Sequence, residues 1–123
     1  MKLNIKNETG RLKSVVLGQP NSIGGVPTLE ESYDAKSYYS IQNNVYPKEE
    51  DIINEMNAFE AVLKKYDVEV LRPSIIEDYN QVFARDVAFV IDDKMIISNV
   101  IADRADEQGA YRNIFEKVEW RKI

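Results

Sequence analysis

An α/β fold built as about two ββαβ-like units is what this sequence predicts, and three observations carry the expectation. Apolar runs of strand length alternate with one strongly amphipathic helical stretch, Pro47 to Tyr66. From Val87 onward the order reads strand, strand, helix and then a further strand beginning near Trp120. The earlier half reads strand, long connection, helix, strand, an irregular version of the same unit. The correspondence lies in the order of elements, without a residue-by-residue repeat.

Leu12 to Leu17 is apolar and β-branched enough for a strand, and Gly18 and Pro20 close it. Asn21 to Tyr46 has no helical or strand period and holds Gly24-Gly25, Pro27 and the tyrosines Tyr33, Tyr38, Tyr39 and Tyr46. Connections of this length inside a compact domain are often lids or binding loops; a meandering surface segment pinned by its tyrosines is the alternative. Pro47 then opens a helix with Glu49, Glu50 and Asp51 in its first turn and Lys64 and Lys65 near its end, both favourable to the helix dipole. Ile52, Ile53, Met56, Phe59, Leu63 and Tyr66 form its apolar stripe, which should pack on a sheet. Asp67 turns the chain into a short strand, Val68 to Leu71, ended by Pro73.

Val87–Ile91 and Lys94–Ser98 flank the two-residue turn Asp92-Asp93, the signature of a hairpin. Both strands are apolar at nearly every position, so both faces are expected to be covered. A second helix is expected from Asp103 to Lys117, with Tyr111, Ile114, Phe115 and Val118 facing inward, and Trp120 to Ile123 starts a last strand.

The bulk numbers agree with a single domain over residues 1–123. Apolar residues make up 44% and charged residues 30%, which suits a globular protein with a core of its own. Net charge is −5, from 16 Lys and Arg against 21 Asp and Glu, so no cationic stripe is available for nucleic acid or an anionic membrane. The chain has no Cys and no His, which removes disulfides, Cys/His zinc sites, a thiolate nucleophile and an imidazole base from these residues. No spacing fits a phosphate loop, a dinucleotide fingerprint or a calcium loop, so neither a metal nor another cofactor is expected. The N-terminus has no apolar leader run and no segment approaches a spanning helix, so a cytoplasmic location is expected.

Chemistry concentrates at Phe83-Ala84-Arg85-Asp86, the mouth of the hairpin. With the turn at Asp92-Asp93, Ile91 pairs Lys94, and counting back sets Asp86 opposite Asn99. From Asn99 the chain runs to Arg104 at the same open end. One carboxylate, one amide and one guanidinium thereby converge. A carboxylate grips a guanidinium through paired charge-assisted hydrogen bonds, and an arginine grips a carboxylate likewise, so an amino acid carrying a guanidino group could use both. An isolated Arg-Asp before a strand, here Arg85-Asp86, also fits a structural ion pair or turn, and Arg104 can pair with Glu107 across one helical turn.

Phe83 to Ile91 resembles the Arg-Asp strand of glycine amidinotransferases and related segments of arginine deiminases. The return strand, Ile97-Ser98-Asn99, Arg104 with Glu107, and Ala110-Tyr111-Arg112 continue the likeness, and Thr9 to Pro20 is similar to that family's first strand. The likeness runs in order along nearly the whole chain, strongest from Gln81 to Phe115 and loose from Asn21 to Tyr46. It implies the amidinotransferase, dimethylarginine dimethylaminohydrolase and arginine deiminase superfamily. That superfamily has the pentein fold, a five-bladed α/β propeller of ββαβ modules around a polar pocket. There a Cys thiolate attacks the guanidinium carbon, a His moves protons and acidic residues clamp the guanidinium. By this resemblance Asp86 is the early clamping aspartate, in the catalytic set and in substrate binding. Arg104 corresponds to the arginine that holds the substrate carboxylate in several relatives. The family's His and Cys belong to later modules, and this sequence carries neither.

Two functions follow. One is the N-terminal part of a guanidino-modifying enzyme, a fragment or split subunit retaining part of a site for an arginine-like small molecule. The other is a non-enzymatic pentein-like assembly module, since the fold has a ribosome-associated, non-catalytic relative. An unrelated α/β domain with a coincidental Arg-Asp hairpin is a third alternative. Two modules leave two open flanks, so a homo-oligomer, or a complex with a chain supplying the missing modules, is expected.

Overall fold

In the computed structural model, which describes residues 1–123, β1 (Ser14–Val16) and β2 (Glu69–Leu71) form a parallel pair, with Val15 opposite Val70 and Val16 opposite Leu71. Successive strand residues face opposite sides, so this pair has two apolar faces. Val15 and Val70 join Leu17, Leu63, Val68 and Met56 in a small core beneath α2 (Glu49–Lys65). Val16 and Leu71 look the other way, onto Val87, Met95, Ala110, Tyr111 and Ile114. The two-stranded sheet is the partition between the two clusters.

Helix α2 begins and ends as its charges predict, with Glu49, Glu50 and Asp51 in the first turn and Lys64 and Lys65 in the last. Its stripe is only partly used. Leu63 is buried and Met56 packs inward, whereas Phe59 and Tyr66 are exposed, beside an exposed Val62. A two-stranded sheet is too narrow to cover the full width of that helical face.

The region from 21 to 46 was expected to lack regular structure and instead contains α1 (Ala35–Gln42). Asp34 caps it, its Oδ2 accepting from the Ser37 N–H at 2.9 Å. None of its residues is buried, so no apolar period marks it. The segment before α1 is tied down. The buried Ile23 donates its N–H to Glu49 Oε1 at 2.7 Å, and Ser22 accepts from the Tyr79 N–H through its carbonyl and from the Asp78 N–H through Oγ, both at 2.8 Å.

The second sheet has the order β3 (Ala88–Ile91), β4 (Lys94–Ile97), β5 (Trp120–Lys122). β3 and β4 are antiparallel, with Ile91 opposite Lys94 as the turn predicts, and β5 runs parallel to β4. Asp92 accepts the left-handed conformation of the turn (φ 52°), which a short polar side chain tolerates. This half is a complete ββαβ unit. The first half is βααβ, with only an isolated antiparallel bridge between Gln19 and Gln81 beside it. The two sheets do not close into a propeller.

Two expectations for this half need correction. The hairpin is covered on one face: Met95 and Ile97 are buried, but Phe89 and Ile91 are exposed, because nothing in the chain packs over that side. The expected helix from Asp103 to Lys117 is a 3₁₀ helix over Ala102–Tyr111, with only α3 (Arg112–Phe115) in α form. Asp103, Asp106 and Gly109 are weak α-helix formers, and the tighter turn prevails over that stretch. Tyr111 and Ile114 still point inward as expected, with Phe115 and Val118 packed at the margin. No helix is long and apolar enough to cross a membrane.

Candidate functional site

Asp86 sits where the chain must change from loop to strand. Ala84–Asp86 form one 3₁₀ turn, closed by Asp86 N–H to Phe83 O at 3.2 Å and Val87 N–H to Ala84 O at 3.0 Å. Val87 is fully buried in the core and anchors the turn from below. Asp86 is thereby held at the rim, with its side chain 48% exposed.

The opposing wall is the Ala102–Tyr111 3₁₀ helix. Side chains three apart eclipse one another in this geometry, so Arg104, Glu107 and Ala110 stack on one face. Ala110 and Glu107 are buried, and Arg104 stands above them at the rim. The helix is fixed at both ends of this stretch: Tyr79 OH donates to Asp103 O at 2.8 Å, and Gln108 Nε2 donates to Ser98 O at 2.6 Å.

Arg104 reaches across and joins the walls. Its NH1 donates to Asp86 Oδ2 at 2.7 Å and its NH2 to Phe83 O at 3.4 Å; Glu107 Oε2 accepts from Nε at 2.9 Å and forms an ion pair with NH2 at 2.8 Å. The Arg104–Glu107 pairing considered from the sequence is therefore made, and the same guanidinium also pairs with Asp86. The Arg104 side chain is 15% exposed and that of Glu107 is 0% exposed, so the pair beneath the rim is screened from water. Asn99 behaves differently. The β3–β4 ladder ends at Ala88 and Ile97, followed by a bond from Ser98 N–H to Val87 O at 2.9 Å. The turn at Ala84–Asp86 takes Asp86 out of the ladder, and the exposed Asn99 side chain bonds to neither Asp86 nor Arg104.

Burial raises the Glu107 carboxyl above its ordinary range, and the neighbouring Arg104 opposes that rise. For Arg104, burial works against the charge, and its hydrogen bonds to Asp86 and Glu107 outweigh it, so its pKa goes up. The Tyr111 hydroxyl is pushed well above the usual phenol range by burial and then by the negative charge of Glu107. Burial also raises Tyr33 and Tyr79, whose hydroxyls feel the charges of Arg104 and Glu107. Tyr33 belongs to the long 21–46 connection, so that connection runs near the charged cluster.

Within the chain, Glu107 Oε1 and Tyr111 OH are buried without a hydrogen-bond partner. Such orphan groups are uncommon and call for an explanation. No group of three or more carboxylate, imidazole or thiol side chains is arranged around a metal position. Tyr79 and Tyr111 were not singled out for the site from the sequence. The three-residue spacing of Arg104, Glu107 and Ala110 was the available signal, hidden by the assumption of an α-helical period. An apolar cleft of about 350 Å³ also lies between the two sheets, lined by Leu3, Val16, Leu71, Val90 and Ile114, but neither Asp86 nor Arg104 reaches it.

No protein-family model and no curated protein matches the chain. Solved structures do match. One is SxtG, an amidinotransferase from Microseira wollei in the saxitoxin biosynthetic pathway, with a TM-score of 0.68 and 20% identity over 98% of this chain and 41% of that one. Another is the inosamine-phosphate amidinotransferase StrB1 from Streptomyces griseus, with a TM-score of 0.64 and 15% identity over 98% of this chain and 42% of that one. The chain spans about two fifths of the length of either enzyme. Across nearly all its residues it has the α/β fold found in part of these amidinotransferases.

Proposed function

We propose that the chain is a partial member of the guanidino-modifying enzymes, contributing the guanidinium-binding side of an amidinotransferase- or amidinohydrolase-type site. One observation carries this reading: the rim carboxylate of Asp86 is already positioned to hold a guanidinium, that of Arg104, at 2.7 Å. A ligand guanidinium would take Asp86, whose Oδ1 makes no hydrogen bond, and a ligand carboxylate would meet Arg104. Asn99 would enter only as a polar group on the rim, outside the hydrogen-bonded cluster. The chemical step needs a nucleophile and a proton carrier, and with no Cys and no His these residues supply neither. They would come from further modules of the same α/β propeller, on this polypeptide or another.

The exposed Phe89 and Ile91 on one sheet, and Phe59 and Val62 on α2 with Tyr66 just past its end, are surfaces that such modules or a second copy would cover. A non-enzymatic assembly module is the second reading. It is favoured by Arg104 having carboxylate partners within the chain already.

Isothermal calorimetry with L-arginine separates the two. Loss of one partner of a charge pair that the bound ligand shields from water costs about 2–5 kcal/mol, so Asp86→Ala should weaken binding at least about thirtyfold. Equal affinity in wild type and Asp86→Ala refutes the assignment and leaves the assembly reading.

A further inference from the structure

We infer that Glu107 is the positioning residue of this site: it fixes the Arg104 guanidinium so that NH1 is presented at the rim as an arm for a ligand carboxylate. The inference rests on the guanidino-binding reading and names the residue that would give the site its preference for amino-acid ligands.

The geometry is specific. A single oxygen, Glu107 Oε2, accepts from Nε of Arg104 at 2.9 Å and lies 2.8 Å from NH2 as an ion pair, while NH2 donates to Phe83 O at 3.4 Å. One hydrogen bond and a close ion contact on the same edge of a planar fork leave the guanidinium little freedom to rotate. The remaining terminal nitrogen, NH1, points to Asp86 at the half-exposed rim. The 3₁₀ register supplies the alignment, because it eclipses Glu107 beneath Arg104.

The orientation is maintained at some cost to stability. Glu107 is wholly buried, its Oε1 has no partner in the chain, and the buried Tyr111 hydroxyl on the following turn is also unpartnered. A buried acid serving only to hold the fold would be expected to have both oxygens satisfied, since an orphaned one carries a desolvation penalty. A carboxylate that sacrifices one oxygen while gripping an arginine with the other fits a group placed for orientation. Groups that hold a site's polar arms in place commonly act from one layer behind it.

Two measurements on the full 123-residue chain test this. The first needs no ligand: the Arg104 Nε–H signal in a ¹H–¹⁵N spectrum. It should exchange slowly in wild type and in Asp86→Asn, and at least about tenfold faster in Glu107→Gln, where the charged acceptor is lost. The second compares the affinity of L-arginine with that of agmatine, which has the same guanidinium and no carboxylate. Wild type should favour arginine by about tenfold or more, as a charge-assisted hydrogen bond allows. Glu107→Gln should reduce the ratio towards one with agmatine affinity unchanged. Arg104→Lys, which keeps the charge and loses the fork, should likewise reduce the ratio.

An unchanged arginine-to-agmatine ratio in Glu107→Gln overturns the inference. So does a protected Nε–H that survives Glu107→Gln and disappears in Asp86→Asn. If the Nε–H signals behave as expected and neither ligand binds wild type, the positioning geometry stands and the guanidino-binding reading fails.

Discussion

Replacing Arg104 by alanine should destabilise the fold by an amount that depends on pH. The side chain of Glu107 is 0% exposed, so without Arg104 its carboxylate must stay ionised in apolar surroundings or take up a proton. From an ordinary value of 4.5, protonation at pH 7 costs about 3.5 kcal/mol, at about 1.4 kcal/mol per pH unit. That limits the electrostatic loss to the lower end of the roughly 3–5 kcal/mol seen when buried pairs are broken. The pKa of Glu107 in the folded state already lies above the ordinary value, and loss of Arg104 raises it further. Between the unfolded and folded values the folded state binds more protons, so stability falls as pH rises through that window. Arg104→Ala should widen the window. Its cost should be small up to the raised folded-state pKa of wild-type Glu107 and grow above it by about 1.4 kcal/mol per unit, remaining below about 3.5 kcal/mol at pH 7. Tyr33, Tyr79 and Tyr111 face the same cluster and stay protonated throughout, their pKa values all being raised above 10. Asp86 is the remaining acid there. Its side chain is 48% exposed, so Asp86→Ala should cost no more than about 1 kcal/mol. Urea unfolding at pH 5 and pH 7, followed by circular dichroism and Trp120 fluorescence, gives the comparison. An Arg104→Ala cost that is equal at the two pH values, or an Asp86→Ala cost as large, would refute the reasoning.

Gly18→Ala should destabilise by about 1–3 kcal/mol or more. A Cβ at Gly18 would overlap the backbone oxygens of Gln81 and Val82, and a neutral effect in urea unfolding would show that this loop yields freely. Incubation of the 123-residue chain with arginine, agmatine or methylated arginines should release no urea-type or amine product, since no thiolate or imidazole is present; turnover that copurifies with the chain and vanishes in Asp86→Asn would contradict this. Light scattering after size-exclusion chromatography should show self-association from low to high micromolar concentration, reduced by Phe89→Lys on the uncovered sheet face. A strict monomer throughout would count against an uncovered module surface.

The hairpin was the most legible part of the fold. Alternating turn and apolar signals around Asp92-Asp93 located it and set Ile91 opposite Lys94, because a two-residue turn leaves one register. Helix α2 was legible through its charges and period, but the depth to which Phe59 and Tyr66 would be buried was not. That depends on the width of the sheet beneath, which is a tertiary property. Helix α1 buries nothing, so it leaves no period to read, and only the Asp34 cap announces it. At the site, register counting brought Asp86 and Arg104 to one end of the hairpin, and they are bonded there. The same count failed to bring the Asn99 side chain to them, since the turn at Ala84–Asp86 leaves the ladder before Asp86. Glu107 was legible as a pairing partner for Arg104 but not as a buried carboxylate, because its burial follows from a 3₁₀ register that an α-helical reading conceals.

The central claim is that Asp86 receives a ligand guanidinium. A crystal structure of the chain grown with L-arginine tests it most directly. The account predicts the ligand guanidinium within hydrogen-bond distance of Asp86, with its carboxylate on Arg104 and the Arg104–Glu107 bonds intact. Arginine bound elsewhere, or a site where Asp86 remains paired only with Arg104 at saturating ligand, would contradict it.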